Sequence, residues 1–380
     1  MTIHRITSAG PSITQAEIDL VTKAITDGWQ DKMNWYIDQF VKEFSDYIGI
    51  KYCLPTAHCT DAIHLAMLAL DIGPGDEVIV PDLTWVASVS PVCYVGAKPV
   101  FADVDKDSWC ITAESINKCI TPKTKAVVVV DLLGNMPEWD EIIELCKSKN
   151  IKIIEDAAEG IGATYKGRQA GNFGDISLFS FNATKLIMSG QGGAVCTNDP
   201  ELYDKVKLIS HHGIDKASSG KYYWSTVIGY NYSWTNIQAA LALAQLRRID
   251  ELISYKTWLF KEYEKGLESI KGIRLNSATE NVNPVYWIST VIIDEKYGMK
   301  KEEIIEKFIK YNIDIRPMFY PVSSMPPFEK YLDSIRFDYV SKNKFTFENT
   351  RMKKKEGYML LEKERSFHKL MNLYIVNQYM

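Results

Sequence analysis

Apolar positions in this chain recur in two rhythms, one helical and one strand-like. In "SITQAEIDLVTKAITDG" they fall at helical spacing between a cap-forming Ser12 or Thr14 and a terminating Gly28, which predicts an amphipathic helix. "YIDQFVKEFSDYIG" repeats the pattern, with Phe40, Phe44 and Tyr47 on one face and Gly49 at its end. Short apolar runs then alternate with helical patterns: "KYCLPT" precedes "TDAIHLAMLALDIG", "DEVIVP" precedes "WVASVSPVCYVG", and "KPVFADV" precedes "ITAESINKCI". "KAVVVVDLLG", "EWDEIIELCKSKN" and "IKIIEDAAE" continue the series. β-Branched runs bounded by Gly, Pro and Asp, with helices between, predict βαβ units around a mostly parallel sheet.

The texture changes near Trp234. "WTNIQAALALAQLRRIDELISYKTWLFKEYEKGLESI" is one long helical pattern with a break near Ile249. "PVYWISTVIID", "KKEEIIEKFIKYN" and "IDIRPMFYPV" then read strand, helix, strand, a smaller α+β lobe. The predicted division is a large domain over 1–248 and a small C-terminal lobe over 249–380. The stretch from about 361 to 380 is weakly patterned and reads as an atypical, solvated tail.

Composition removes several classes of function. With 380 residues the chain can bury a large core, and 46% hydrophobic with 24% charged residues is ordinary for a globular protein. The net charge of −4 gives no general attraction to nucleic acid or to an anionic membrane. Seven cysteines stand singly without a Cys-x-x-Cys pair, which fits reduced thiols in the cytoplasm. The opening "MTIHRITSAGPSIT" lacks a signal peptide's apolar core, and no window reaches the length of a membrane span. The expectation is a cytoplasmic enzyme or large binding domain.

"FSFNATKLIMSGQGGAV" sets one lysine, Lys185, in a run with almost no other charge. A solvated loop lysine is the ordinary reading; a Schiff-base lysine that attacks a carbonyl is the chemical one. "IIEDAAEG" places Asp156 just past a buried strand, where ligands gather in parallel α/β sheets; it suits an N-cap, a metal ligand or the partner of a ligand's cation. "PTAHCTDAIHLA" runs from strand into helix with Thr60 and Asp61 in the first turn, a place that favours an anion such as phosphate. Trp85 in "PDLTWVAS" is either core or a plate stacked on a flat ring. Together these residues meet the needs of pyridoxal phosphate, which requires a lysine, a carboxylate at its pyridine nitrogen, an anion cradle and a ring support. No metal is expected.

The motifs "GPGDEVIVPDLTWVAS", "ITPKTKAVVVV", "IIEDAAEGIGATYKGRQAGNFGDISLFSFNATK", "GQGGAV" and "IGYNYSWTNIQAALALAQLRRID" resemble the DegT-type sugar aminotransferases, pyridoxal phosphate enzymes of fold type I. The likeness runs from about Ile13 to about Glu329. "YYWSTVIGYNYSWTNIQAA", "VYWISTV" and "RPMFYPVSSMPPF" are similar to the 4-aminotransferases of the GDP-perosamine synthase kind. The resemblance implies a three-layer αβα fold and transamination, with glutamate as donor, of a nucleotide-linked 4-keto-6-deoxyhexose for O-antigen or other surface glycans. Amination at C3, or a non-catalytic regulator that keeps the cofactor pocket, are the alternatives.

Residue by residue, the resemblance implies that Lys185 carries the cofactor and moves the proton, and that Asp156 pairs with the pyridine nitrogen. Trp85 stacks on the ring, Glu159 lies near the ring's hydroxyl side, and Thr60, Asp61 and Ser180 hold the phosphate. Asn231 reaches the phosphate of a second subunit, which implies a homodimer with a shared site. Arg316 and His211 are candidates for substrate contact, each with a structural role as the alternative. Two departures stand out. His58 and Cys59 occupy a turn where relatives have a small or amide residue followed by Gly, and "GYMLL" from Gly357 has Leu361 where relatives have proline.

Overall fold

The Thr14 hydroxyl caps the first helix, and Glu17 returns a bond to the Thr14 amide, a reciprocal pair that fixes where the helix begins. In the computed structural model, which describes residues 9–294, 298–299 and 301–334, this helix is α1 (Gln15–Asp27). α2 (Trp35–Ile48) ends on Gly49, whose φ of 73° is the left-handed conformation that a helix stop uses. The buried stripe of α2 is Tyr36, Phe40, Phe44 and Ile48, while Tyr47, expected on that face, is only half-buried. Phe40 and Phe44 stack and meet Phe179, Phe181 and Trp234, so the helix closes over the lysine-bearing stretch.

The alternating series follows: β1 (Tyr52–Thr56), α3 (Cys59–Ala69), β2 (Glu77–Pro81), α4 (Ser90–Tyr94), β3 (Lys98–Ala102), α5 (Ala113–Cys119), β4 (Thr124–Val130), α6 (Trp139–Lys149) and β5 (Lys152–Asp156). Two short strands, β6 (Thr164–Tyr165) and β7 (Arg168–Gln169), precede β8 (Ile176–Ser180), β9 (Gly193–Thr197), α7 (Pro200–Ser210) and the one-turn α8 (Lys216–Ser219). Seven strands form one sheet in the order β1-β9-β8-β5-β4-β2-β3. Only β9 runs against its neighbours; the rest are parallel. β2, β8 and β9 are buried at every position, as strands covered on both faces must be. α3 packs on β8 and β9, and α1 and α2 pack on α9 (Asn236–Leu246). This is the α/β, mostly parallel architecture that the sequence predicts.

Alternation along β5 divides its last two carboxylates between faces. Glu155 accepts from the amides of Gly171, Phe173 and Gly174 at 2.5, 2.7 and 3.0 Å and from the Ser177 hydroxyl, so it organises the turn into β8. Asp156 is left for the site.

The long helical pattern breaks at Arg247–Arg248, and α10 (Ile249–Leu267) follows. A second hydrophobic cluster of Tyr263, Leu267, Ile270, Ile304, Phe308 and Ile313 lies wholly beyond residue 248. It joins α10, the antiparallel pair β10 (Ile273–Leu275) and β12 (Val291–Ile293), and α11 (Lys301–Lys310). Several attachments return to the first body; among them β11 (Val282–Asn283) pairs with β6, and the Asp82 carboxylate accepts from the Ser323 amide and hydroxyl at 2.8 Å each. The strand expected over 313–322 joins no ladder; Pro317 and Pro321 lack the amide hydrogen a ladder needs. Among the described residues no helix is long and apolar enough to cross a membrane. Gly357, Leu361 and the tail at 361–380 lie outside the described residues.

Candidate active site

Asp156 ends β5 at the carboxyl edge of the sheet and is 3% exposed. It accepts from the Ser88 hydroxyl at 2.7 Å and the Ala158 amide at 3.2 Å. Burial pushes its carboxyl above the ordinary range, and the bonds from Ser88 and Ala158 hold it down. Such a group is best completed by a cation.

Lys185 sits in the loop between β8 and β9, whose stem is closed by the Phe181 amide on the Gly192 carbonyl and the Ala183 amide on the Gly190 carbonyl. Its side chain is 13% exposed, and Nζ donates to Glu159 Oε1 at 3.2 Å. It is a paired, nearly buried lysine, which removes the solvated-loop reading. The other oxygen of Glu159 accepts from the Leu133 amide at 2.7 Å.

The third component is the start of α3. His58 occupies the N-cap in extended conformation without a side-chain cap, so the first-turn amides keep their field. Thr60 and Asp61 are half-buried there, and Asp61 Oδ2 lies 3.1 Å from His58 Nδ1. Gly193 of β9 approaches this turn so closely that a Cβ on it would stand 2.5 Å from the Cys59 amide nitrogen. Ser180, 5% exposed, ends the neighbouring strand.

Cys59 reports how these parts converge. Burial pushes its thiol well above the usual range, and the charges acting on it belong to Asp156, Lys185, Asp61 and Glu159. The helix start, the carboxylates and the lysine therefore lie within electrostatic reach of Cys59. Trp85 stands on the loop after β2, 58% exposed and tilted against Phe319 with ring centroids 5.6 Å apart. It is not core, which leaves a plate-like face available. Ser88, three residues on, is the donor to Asp156, so Trp85 and Asp156 share one support.

Three expected residues stand apart from this cluster. Asn231 is exposed and paired through its backbone with His211. His211 is exposed and meets only the His212 ring, 5.5 Å away, among the aromatic contacts of the described residues. Arg316 is 66% exposed and pairs with Asp314, two residues before it.

Sequence reasoning missed Ser88, Leu133 and Trp287. The Trp287 ring centroid lies 3.7 Å from Lys185 Nζ, and its Nε1 donates to the Thr184 carbonyl at 2.7 Å. Ser88 lies in "PDLTWVAS" and Trp287 in "VYWISTV", but neither motif gives them a role, because each acts through a fold contact. Asp131, also missed, is fully buried, and neither carboxyl oxygen has a hydrogen-bond partner among the described residues. Burial, then the charges of Glu155 and Asp156, pushes its carboxyl well up, which favours the protonated form.

The residues present fit pyridoxal phosphate. They supply an amine, a buried carboxylate in want of a cation, an uncapped helix start with a glycine-walled floor, and an exposed aromatic face. This fold and site define a lysine-centred group-transfer enzyme.

Comparison with known proteins gives the family. The model of the DegT/DnrJ/EryC1/StrS aminotransferase family matches residues 11–346. GDP-perosamine synthase of Escherichia coli O157:H7 is 40% identical over 322 residues, covering 84% of this chain and 86% of that protein. GDP-perosamine synthase of Caulobacter vibrioides is 38% identical over 328 residues, covering 86% and 87%. Among solved structures, the aminotransferase from Psychrobacter cryohalolentis superposes with a TM-score of 0.81 at 28% identity, covering 98% of this chain and 99% of that one. The chain belongs to the DegT/DnrJ/EryC1/StrS aminotransferase family. It is a pyridoxal phosphate-dependent sugar aminotransferase.

Proposed function

We propose that this enzyme moves the amino group of L-glutamate to C4 of a nucleotide-linked 4-keto-6-deoxyhexose. The product is a 4-amino-4,6-dideoxy sugar for O-antigen or other surface glycans, with 2-oxoglutarate released. The similarity to two GDP-perosamine synthases over more than four-fifths of the chain supports the substrate class. The observation that carries the chemistry is the buried Lys185 amine held by Glu159 beside Asp156 and the start of α3.

Bound here, pyridoxal phosphate supplies the electron sink and the carrier for the amino group. The remaining work falls to the chain. Asp156 keeps a proton on the pyridine nitrogen by placing negative charge beside it in a low-dielectric setting. The α3 amides, with Thr60, Asp61 and Ser180, hold the phosphate. Trp85 covers a ring face and keeps water from it. Lys185 Nζ would take the proton from the α-carbon of the donor and serve as the group that gives it back later in the transfer. Glu159 restrains that amine and would face the bound cofactor from the same side.

The active unit on this reading is a homodimer in the cytoplasm, with Asn231 serving the phosphate of the partner subunit. The segment around Asn231 supports it, exposing Tyr222, Tyr223 and Ile228 at 71%, 89% and 91%, a concentration of apolar surface that favours burial against another surface. Arg316 and His211 are assigned to the substrate side.

Incubation with GDP-, dTDP- and UDP-linked 4-keto-6-deoxyhexoses and ¹⁵N-glutamate tests the proposal. A ¹⁵N-labelled amino sugar from one of them, with equimolar 2-oxoglutarate, is the expected result. Absence of 2-oxoglutarate with all three refutes it.

A further inference from the structure

We propose that Trp287 is a positioning residue for Lys185, with one indole gripping the lysine at both ends. Its Nε1 donates to the Thr184 carbonyl, which immediately precedes Lys185, and its ring face lies 3.7 Å from Lys185 Nζ. A lysine amine rides on a flexible four-carbon stem, so one ion pair leaves it free to swing about its partner. Glu159 restrains Nζ from one direction at 3.2 Å. The indole closes another, because the negative face of an aromatic ring attracts an ammonium.

The indole is itself rigidly held. Trp287 is 6% exposed. The Val285 amide donates to the Gly134 carbonyl at 2.9 Å, and a Cβ on Gly134 would stand 2.6 Å from Val285 Cγ1 and 2.9 Å from the Trp287 nitrogen. Between them Tyr286 takes a φ of 50°, left-handed and costly for a tyrosine, while its ring stacks on Phe260 at 3.6 Å. The same turn supplies the Leu133 amide that fixes Glu159, and Leu133 is also left-handed at φ 59°. Both restraints on Lys185 therefore hang from residues 131–134. Trp287 comes from beyond residue 249 yet packs in the main core with Val285.

An amine that is released and reused within one turnover must return to the same point. Confinement of this kind raises the effective concentration of the catalytic group, and a misplacement of about 1 Å costs up to about 100-fold in rate. Trp287 supplies the confinement that Glu159 alone does not.

The inference rests on Lys185 as the reacting lysine, and its test separates the two. In the full-length protein stripped of cofactor, acetylation of each lysine by an amine-acylating reagent is followed by peptide mass spectrometry. Trp287→Leu is expected to raise the Lys185 rate about 5-fold or more and leave Lys152 and Lys207 unchanged. Trp287→Phe, which keeps a ring face and loses the bond to Thr184, is expected to fall between. In the cofactor-loaded enzyme, Trp287→Leu is expected to lower kcat on the order of 10-fold with the KM for glutamate within about 2-fold, and Trp287→Phe to recover part of the loss. An unchanged Lys185 rate overturns the proposal. So does faster labelling of all three lysines, which would mean a general loosening. Changed labelling with no activity in the wild type would instead count against Lys185 as the reacting group.

Discussion

The Ser88 hydroxyl donates to the Asp156 carboxylate at 2.7 Å, joining the loop that carries Trp85 to the end of the strand at the centre of the site. Thr84 Oγ1 lies 3.0 Å from the same hydroxyl, so the bond is the end of a buried chain. Bonds to buried carboxylates are charge-assisted and contribute about 1.5–3 kcal/mol each.

Ser88→Ala is therefore expected to lower stability by about 1–3 kcal/mol in urea unfolding at pH 8. Ser88 holds the Asp156 carboxyl down against burial, so its removal raises that group's proton affinity in the folded state. The deficit should shrink as pH falls and Asp156 takes up its proton. A deficit that stays constant as pH is lowered until Asp156 is protonated would show that the bond is not to an ionised group.

Asp82 gives a second pH dependence. Burial raises its carboxyl to about 6, against the hydrogen bonds from Ser323, and Asp103 adds to the rise. The unfolded value is about 3.9. The folded state thus holds the proton more tightly, so the associated stability is complete below about pH 4 and is lost as pH rises through about 6. Asp82→Asn is expected to flatten the stability profile between pH 4 and 6.5 and to be more stable than wild type at pH 7. Parallel profiles for the two proteins would contradict this.

Gly134 is the fixed point under Trp287. Its φ is 84°, and an added Cβ meets both the Val285 side chain and the backbone of residues 286 and 287. Gly134→Ala is expected to cost about 2 kcal/mol or more and to weaken Trp287 shielding of Lys185 in the labelling assay. A fully stable variant with unchanged labelling would show that the 285–287 segment yields freely.

What the sequence revealed follows from how local each signal is. The caps at Thr14 and Gly49, the β-branched runs and the break before Ile249 are written in neighbouring residues, and the structure places them as expected. Asp156, Lys185 and the turn at Thr60 stand out in the sequence because each lies near a strand end, and Glu159 enters only through the resemblance; the structure brings Glu159 to Lys185. Ser88 and Trp287 were not legible, since the contacts that give a serine at i+3 from one tryptophan and a tryptophan at a bend their roles exist only once the chain folds. Asp131 stands only as the residue that ends a β-branched run, and burial with the charges of Glu155 and Asp156, which raise its carboxyl, appears only on folding. The strand expected at 313–322 was misread because its apolar spacing is real, yet two prolines deny it a ladder.

The account rests most heavily on Lys185 as the residue that takes the cofactor. Borohydride reduction of the purified enzyme followed by peptide mapping tests it directly. The expected result is one pyridoxyl-modified peptide, "LFSFNATKLIM", with the label on Lys185, and neither label nor transamination in Lys185→Ala. A label on another lysine in the wild type, or turnover retained in Lys185→Ala, would contradict the assignment.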